Sequence, residues 1–360
     1  MVLIAHEWLH PRGGAENLVR QIMWAVDARE LWTAAAHPRW HRLFPGRIQA
    51  TRQTDTDRDY FGLFTEPIGG IVDAARNTVV PYSSIVVRSH HHFSGYFAVD
   101  TKQEVVYVHA VPRLWWEPEK VPWERGLFPR DEWVRGRERD FESVWRASSV
   151  VCNSELTLNK VEKYYGRHDA VVITPPLRMP ASSRGDGRVI PRRARPLAIS
   201  VSRIVEGKRM SVVVSALSNG CADWLVIGDG RGLPSLRDEI SRYSNIRAVG
   251  SLSTTSVRRA LREADIFVSL GEEEFGIQVH EALLNHVPVI VSADSHVSSL
   301  VAEFRCGFIV SDDDPTDIRN AIAQVGKLRP DWDEICRQLI KHGPTYFRNS
   351  LVRLITQGAR

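Results

Sequence analysis

Long apolar runs are missing from this 360-residue chain. No stretch reaches the roughly eighteen apolar residues that a membrane-spanning helix needs, so no such helix is expected. The opening run Val2-Leu3-Ile4-Ala5 meets His6 and Glu7 at once, too soon for the apolar core of a secretory signal. Cysteine is sparse: Cys152, Cys221, Cys306 and Cys336 are scattered without C-x-x-C spacing. That argues against a disulfide framework or a zinc site and for reduced thiols in a cytoplasm. An excess of one charge is also missing. The chain has 47 Lys and Arg against 43 Asp and Glu, a formal +4. Such a balance suits an anionic small molecule or a membrane surface and offers no argument for nucleic acid. One fingerprint is nearly present and fails. Gly228-Asp229-Gly230-Arg231-Gly232-Leu233 follows an apolar run but has Leu233 where G-x-G-x-x-G needs glycine.

The chain is longer than one core usually grows, and two domains of ordinary size fit it. Strand-length apolar runs recur in both halves. Val2–Ala5, Ser84–Ser89, Glu104–His109, Ser149–Cys152 and Val171–Ile173 lie in the first; Leu197–Arg203, Trp224–Ile227, Ile266–Leu270, Val289–Ala293 and Gly307–Val310 lie in the second. Helix-period segments alternate with them: Ala15–Val26, Thr157–Tyr165, Val257–Ala264, Ile277–Asn285 and Pro315–Gln324, with Tyr346–Ile355 last. This alternation predicts parallel α/β layers. Residues 6–14 are expected to form a loop. Met179–Pro196, rich in Pro, Gly, Ser and Arg, reads as an exposed linker.

The chemistry concentrates at the carboxyl ends of these strands. In Ser269–Ile290 a strand runs into an acidic loop with Glu273 and Gly276, then a helix carrying Glu281, then Pro288 and another strand. Amides near Phe275, Gly276 and Ile277 sit at a helix N-terminus, which attracts phosphate. A diphosphate there would put one carboxylate near a leaving sugar and the other near a ribose diol. The plainer alternative is two solvated glutamates on a structural helix. Arg203 and Lys208 place two cations after the strand that starts at Leu197, suited to a diphosphate or simply solvated. Gly13 and Gly14 allow close backbone approach to a ligand, or only a tight turn. His109 ends its strand. His90, His91 and His92 invite a metal, but consecutive strand residues alternate in direction, and a polar rim is the simpler account. Trp115 to Arg139 is rich in Trp and Arg. That stretch suits sugar stacking, an anionic membrane surface, or plain helix packing.

The segment Glu273-Glu274-Phe275-Gly276-Ile277-Gln278-Val279-His280-Glu281 resembles the E-x7-E motif of GT-B-fold retaining glycosyltransferases. It is most similar to glycosyltransferase family 4, with its mannosyl-, glucosyl- and N-acetylglucosaminyltransferases, and to the mannosyltransferase-like subgroup within it. Glu274 stands where the family usually has glycine. The resemblance continues in order along the chain. It takes in the Arg12-Gly13-Gly14 loop, Tyr107-Val108-His109 with Arg113, the Asn153-Ser154 turn, Thr174-Pro175-Pro176, and Arg203 with Lys208. After His109 the family often has Thr-Pro; here Pro112 comes one place later, after Ala110-Val111.

The resemblance implies two Rossmann-like α/β/α domains facing a central cleft. It implies an N-terminal acceptor domain over 1–178 joined by a C-terminal helix at 345–360, a linker at 179–196, and a nucleotide-sugar donor domain over 197–344. It assigns the catalytic roles to His109, Glu273, Arg203 and Lys208. Donor contacts fall to Gly13, Gly14, Arg203, Lys208, Ser251, Leu252, Phe275, Gly276, Ile277 and Glu281. His6, Arg113, Trp115 and Trp116 are the acceptor-side candidates. The implied reaction moves a hexose with retention from a nucleotide-diphosphate sugar to a glycan, lipid-linked or small-molecule acceptor. GDP-mannose leads and UDP-sugars follow. No metal or other cofactor is implied. The expected location is cytoplasmic, with room for peripheral contact with the inner membrane face. Two rivals stay open: a sugar-nucleotide epimerase, and a non-catalytic protein that binds a nucleotide sugar.

Overall fold

The computed structural model describes residues 2–9, 14–44, 46–53, 69–90, 92–121, 128–177, 195–311 and 314–357. The chain forms two compact units, Met1–Pro176 with Pro344–Arg360, and Leu177–Gly343. Residues 179–194, most of the expected linker, lie outside the described residues.

Among the described residues, the first unit has seven strands: β1 (Val2–Leu9), β2 (Glu30–Ala36), β3 (Arg47–Gln53), β4 (Val79–His90), β5 (Ala98–Val108), β6 (Ser149–Cys152) and β7 (Val171–Val172). Their order is β3-β2-β1-β4-β5-β6-β7, and every pairing is parallel. Central strands of such sheets are covered on both faces, which is why β1, β5 and β6 read as apolar runs. The loop expected over residues 6–14 is wrong at its start, because β1 continues to Leu9. Trp8 pairs with Ala35 and Leu9 with Ala36, and both side chains are buried. His6 and Glu7 break the apolar pattern yet remain in the strand because each has a buried polar partner. The last helix, Pro344–Gln357, belongs to this unit. Phe347, Leu351 and Ile355 recur on one buried face. Phe347 packs edge-on to Tyr107 at 6.2 Å, and Gln103 Nε2 donates to Ile355 O at 3.1 Å.

The second unit has six strands among its described residues: β8 (Leu197–Val201), β9 (Asp223–Ile227), β10 (Ile246–Ala248), β11 (Ile266–Ser269), β12 (Val289–Ser292) and β13 (Gly307–Val310). Their order is β10-β9-β8-β11-β12-β13, again all parallel. This is the doubly wound Rossmann-like order. The glycine cluster after β9 has a structural use. A Cβ on Gly228 would lie 1.8 Å from Ser202 O. Glycine is needed there for two backbones to pass, with no dinucleotide involved.

Candidate active site

Each sheet reverses its winding once: between β1 and β4 in the first unit, and between β8 and β11 in the second. Open α/β sheets bind ligands outside the carboxyl ends of the strands at such a switch point. Most of the expected site residues fall at these two places.

In the second unit, the chain after β8 carries Arg203 and a short turn, Glu206–Lys208; the chain after β11 carries Gly271 to Gly276. The two loops touch backbone to backbone. Gly271 has φ +82°, and a Cβ there would lie 2.0 Å from Gly207 O. Its N–H donates to Ser292 Oγ at 2.7 Å, tying the loop to β12. This approach brings Lys208 Nζ to 2.5 Å from Glu273 Oε1, a pair only partly open to solvent. Ser269 Oγ donates to the same carboxylate oxygen at 3.4 Å, and His296 N–H donates to Glu273 O at 3.0 Å. Arg203 is exposed on the same loop as Lys208.

Phe275 is buried and stacks on His280 with ring centroids 4.4 Å apart. This anchors the loop to the helix Ile277–Leu284, which Gly276 opens in the left-handed conformation. The first-turn N–H groups of a helix have no intrahelical acceptors and carry partial positive charge. Burial drives His280 down to about 4, so it is a neutral packing group. Glu281, partly exposed on that helix, has its pKa raised by burial, with Arg258 pulling the other way. Ser251 and Leu252 lie between β10 and the helix Thr254–Glu263, with Leu252 exposed. The arrangement offers two cations, a helix N-terminus and two carboxylates of different character. That combination holds a diphosphate and hydroxyl-rich groups.

In the first unit, β4 lies between β1 and β5, with His6 opposite Ser89 and Ser89 opposite Tyr107. Ser89 Oγ is 2.5 Å from His109 Nε2, and His6 Nδ1 is 3.0 Å from the same oxygen. His109 O accepts from Asn153 Nδ2 at 2.6 Å, and Asn153 Oδ1 accepts from Thr157 Oγ1, also at 2.6 Å. The Asn-Ser turn therefore holds the backbone of His109. Gly14 is the exposed first residue of the helix Gly14–Ala25, while Gly13 lies outside the described residues. Of the three consecutive histidines, His91 is also outside them. His90 Nε2 lies 3.1 Å from Asp140 Oδ1, whereas His92 Nδ1 lies 3.6 Å from Glu7 Oε1. The two rings serve different partners.

Two of the acceptor-side candidates, His6 and Trp115, need correction. His6 is not on a loop but inside β1, 2% exposed, and burial lowers its pKa to about 4. It is joined to His109 through Ser89, and the two rings also meet edge-on with centroids 6.2 Å apart. Trp115 is fully buried and has no face for a sugar: its Nε1 donates to His92 O at 3.0 Å, and Phe93 and Phe128 pack on its ring. A Cβ on Gly136 would lie 2.6 Å from that ring, so glycine lets the helix Arg130–Trp145 close over it. Trp116 donates to Asp140 Oδ2 at 2.6 Å, meets Tyr165 edge-on at 5.1 Å, and carries the Arg137 guanidinium 4.5 Å over its ring. Helix packing accounts for Trp115, whereas Trp116 keeps part of its surface open. Arg113 is half-buried at the start of the short helix Arg113–Trp116. Ser89 and the direct Lys208–Glu273 contact were not anticipated from the sequence. Both depend on strand order and on loops far apart in the chain.

Residues 189–345 match the family model for glycosyl transferases group 1. Solved structures share the whole fold at low identity. Anabaena HepE, in complex with UDP and glucose, superposes with a TM-score of 0.73 at 13% identity, covering 99% of this chain and 100% of that one. A sucrose-phosphate synthase from Thermosynechococcus elongatus gives 0.65 at 15%, covering 99% and 98%. WaaG, a glycosyltransferase involved in lipopolysaccharide biosynthesis, gives 0.64 at 16%, covering 99% and 100%. No curated protein sequence matches the chain closely enough to count as a relative. The fold is GT-B, and the stretch that matches the group 1 model falls almost wholly within the second unit.

Proposed function

We propose that the chain is a retaining glycosyltransferase that takes a sugar from a nucleotide-diphosphate donor and needs no metal. The observation that carries this reading is the Lys208–Glu273 pair, 2.5 Å apart beside the N-terminus of Ile277–Leu284 and within the matched domain. In this reading Lys208 and Arg203 take up the negative charge that grows on the departing diphosphate, and the helix amides from Phe275 to Ile277 add to them. Fixed charges aimed at a leaving group supply the stabilisation a metal would otherwise give. Glu281 accepts hydrogen bonds from the ribose diol. Glu273, oriented by Lys208, accepts from hydroxyls of the transferred sugar. The family resemblance gives Gly14 a donor role and His109 a contact with the transferred sugar. The acceptor attacks on the face the leaving group vacates, which retains configuration.

Two observations point to different donors. The acidic-Phe-Gly loop with His109 and Arg113 resembles GDP-mannose enzymes, while HepE is solved with UDP and with UDP-glucose. Thermal shift against UDP, GDP, ADP and dTDP separates them. A ligand at a hundred times its Kd adds about 2.7 kcal/mol, a rise of several degrees in a chain this long. One nucleotide standing clear fixes the donor class. The anomeric configuration of the product, read by NMR, then tests retention. A folded sample that responds to none of the four would overturn the reading in favour of a protein without transferase activity.

A further inference from the structure

We propose that Ser89, backed by His6, is a positioning residue that fixes the ring orientation and tautomer of His109. The proposal rests on the reading that His109 serves the transfer reaction. The three side chains come from the neighbouring strands β1 and β4 and the residue after β5, and all are buried: His6 is 2% exposed, Ser89 0% and His109 8%. Ser89 Oγ touches both rings, at 3.0 Å from His6 Nδ1 and 2.5 Å from His109 Nε2.

A buried hydroxyl uses its hydrogen-bonding capacity on the groups around it. Ser89 has one proton to give, so it can donate to only one of the two rings. Burial lowers His6 to about 4, so at neutral pH it carries a single ring proton. Two arrangements run the Ser89 proton between the rings. In one, His6 Nδ1–H donates to Ser89 Oγ, and the Ser89 hydroxyl donates to His109 Nε2, leaving the His109 proton on Nδ1. In the other, every bond is reversed and the His6 proton sits on Nε2. Among the described residues His6 Nε2 is buried without a hydrogen-bond partner. A buried N–H left without an acceptor is rarer in folded proteins than an acceptor left short. The first arrangement is therefore selected, and His109 carries its proton on Nδ1. Asn153 holds the backbone of the same residue, so ring and main chain are set independently.

The test uses the full chain labelled with 15N-histidine. Two-bond proton–nitrogen correlations near neutral pH report each ring's tautomer, and loss of signals in His109→Gln assigns His109. The expected spectrum shows the Nδ1–H form. Ser89→Ala should shift it to a mixed or reversed tautomer, and Ser89→Thr, which keeps a hydroxyl, should restore it. In transfer assays Ser89→Ala should lower kcat by roughly tenfold with little change in donor KM, one ordinary hydrogen bond's worth of transition-state stabilisation. An Nε2–H form in the unaltered protein, or a tautomer unchanged in folded Ser89→Ala, would overturn the proposal. Full transfer by His109→Ala would instead overturn the role of His109 in the reaction, while the spectrum would still decide its tautomer.

Discussion

The two units of this chain place their candidate site residues at the same point of the same kind of sheet, yet build them from different materials. In the first unit the groups sit within or directly after the strands: His6, Ser89 and His109 are buried and joined by short hydrogen bonds. In the second unit the groups stand on loops beyond the strands: Arg203, Lys208 and Glu273 are charged and at least partly open to solvent. The sheet order sets where chemistry can happen, and the distance from the strand end sets which chemistry it is. A buried hydrogen-bonded chain can orient one ring closely. An open charged loop can reorganise around a phosphate.

The sharpest way to break this contrast is to remove the central charge of the second unit. Lys208→Ala should lower kcat by about 10²–10³-fold, the usual cost of one fixed donor at a site of developing charge. It should also free the Glu273 carboxylate from its 2.5 Å partner. Steady-state kinetics on folded protein provide the check, and unchanged turnover would remove Lys208 from the diphosphate.

A pair of glycine substitutions sharpens the contrast between the units. Gly271→Ala forces a Cβ to 2.0 Å from Gly207 O at a left-handed φ of +82°. Backbone cannot yield as a side-chain tip does, so about 3 kcal/mol or more of stability should be lost. The Lys208 turn should move with it and reduce donor affinity. Gly136→Ala meets the Trp115 ring at 2.6 Å. It should cost about 1–3 kcal/mol by overpacking but leave donor binding intact. Melting temperatures and nucleotide titrations on both variants decide it. Equal loss of donor affinity in the two would contradict the separation.

Much of this architecture was legible in the sequence because its signals are local. β13 and the helix Pro315–Gln324 have the expected limits, and the strand–loop–helix unit around Glu273 is where its pattern put it. The misses share one cause. Ser89 is an unremarkable serine until β4 is known to lie between β1 and β5. Lys208 and Glu273 meet across 65 residues of sequence. A Trp- and Arg-rich stretch has the same composition whether its rings face a sugar or a core. Gly136, in the middle of a helix where glycine is unfavourable, was the available sign that Trp115 turns inward. The end of β1 was misread because His6 and Glu7 interrupt an apolar run, and burial of polar residues is paid for by partners that lie far away in sequence.

The smallest predicted effect concerns Glu281 and distinguishes it from Glu273 in the same loop-helix unit. Burial raises the Glu281 pKa above the ordinary 4.5. In the folded chain the carboxyl therefore holds its proton to higher pH than in the unfolded chain. Its contribution to stability is greatest below 4.5 and is lost as pH rises through the folded value. Donor binding should run the opposite way. An ionised carboxylate accepts from both hydroxyls of a ribose diol, whereas the protonated form must use one oxygen as a donor. Donor affinity should therefore strengthen by a few-fold as pH rises through the Glu281 pKa, in step with the loss of stability. Glu281→Gln should flatten both trends and mainly raise donor KM, since the contact is present before and during reaction. Calorimetric titration of the nucleotide from about pH 4.5 to 7.5, paired with melting curves at each pH, measures the two slopes together. If donor affinity in the unaltered protein proves flat across that range while the stability slope is present, the carboxylate is buried as inferred but does not hold the ribose.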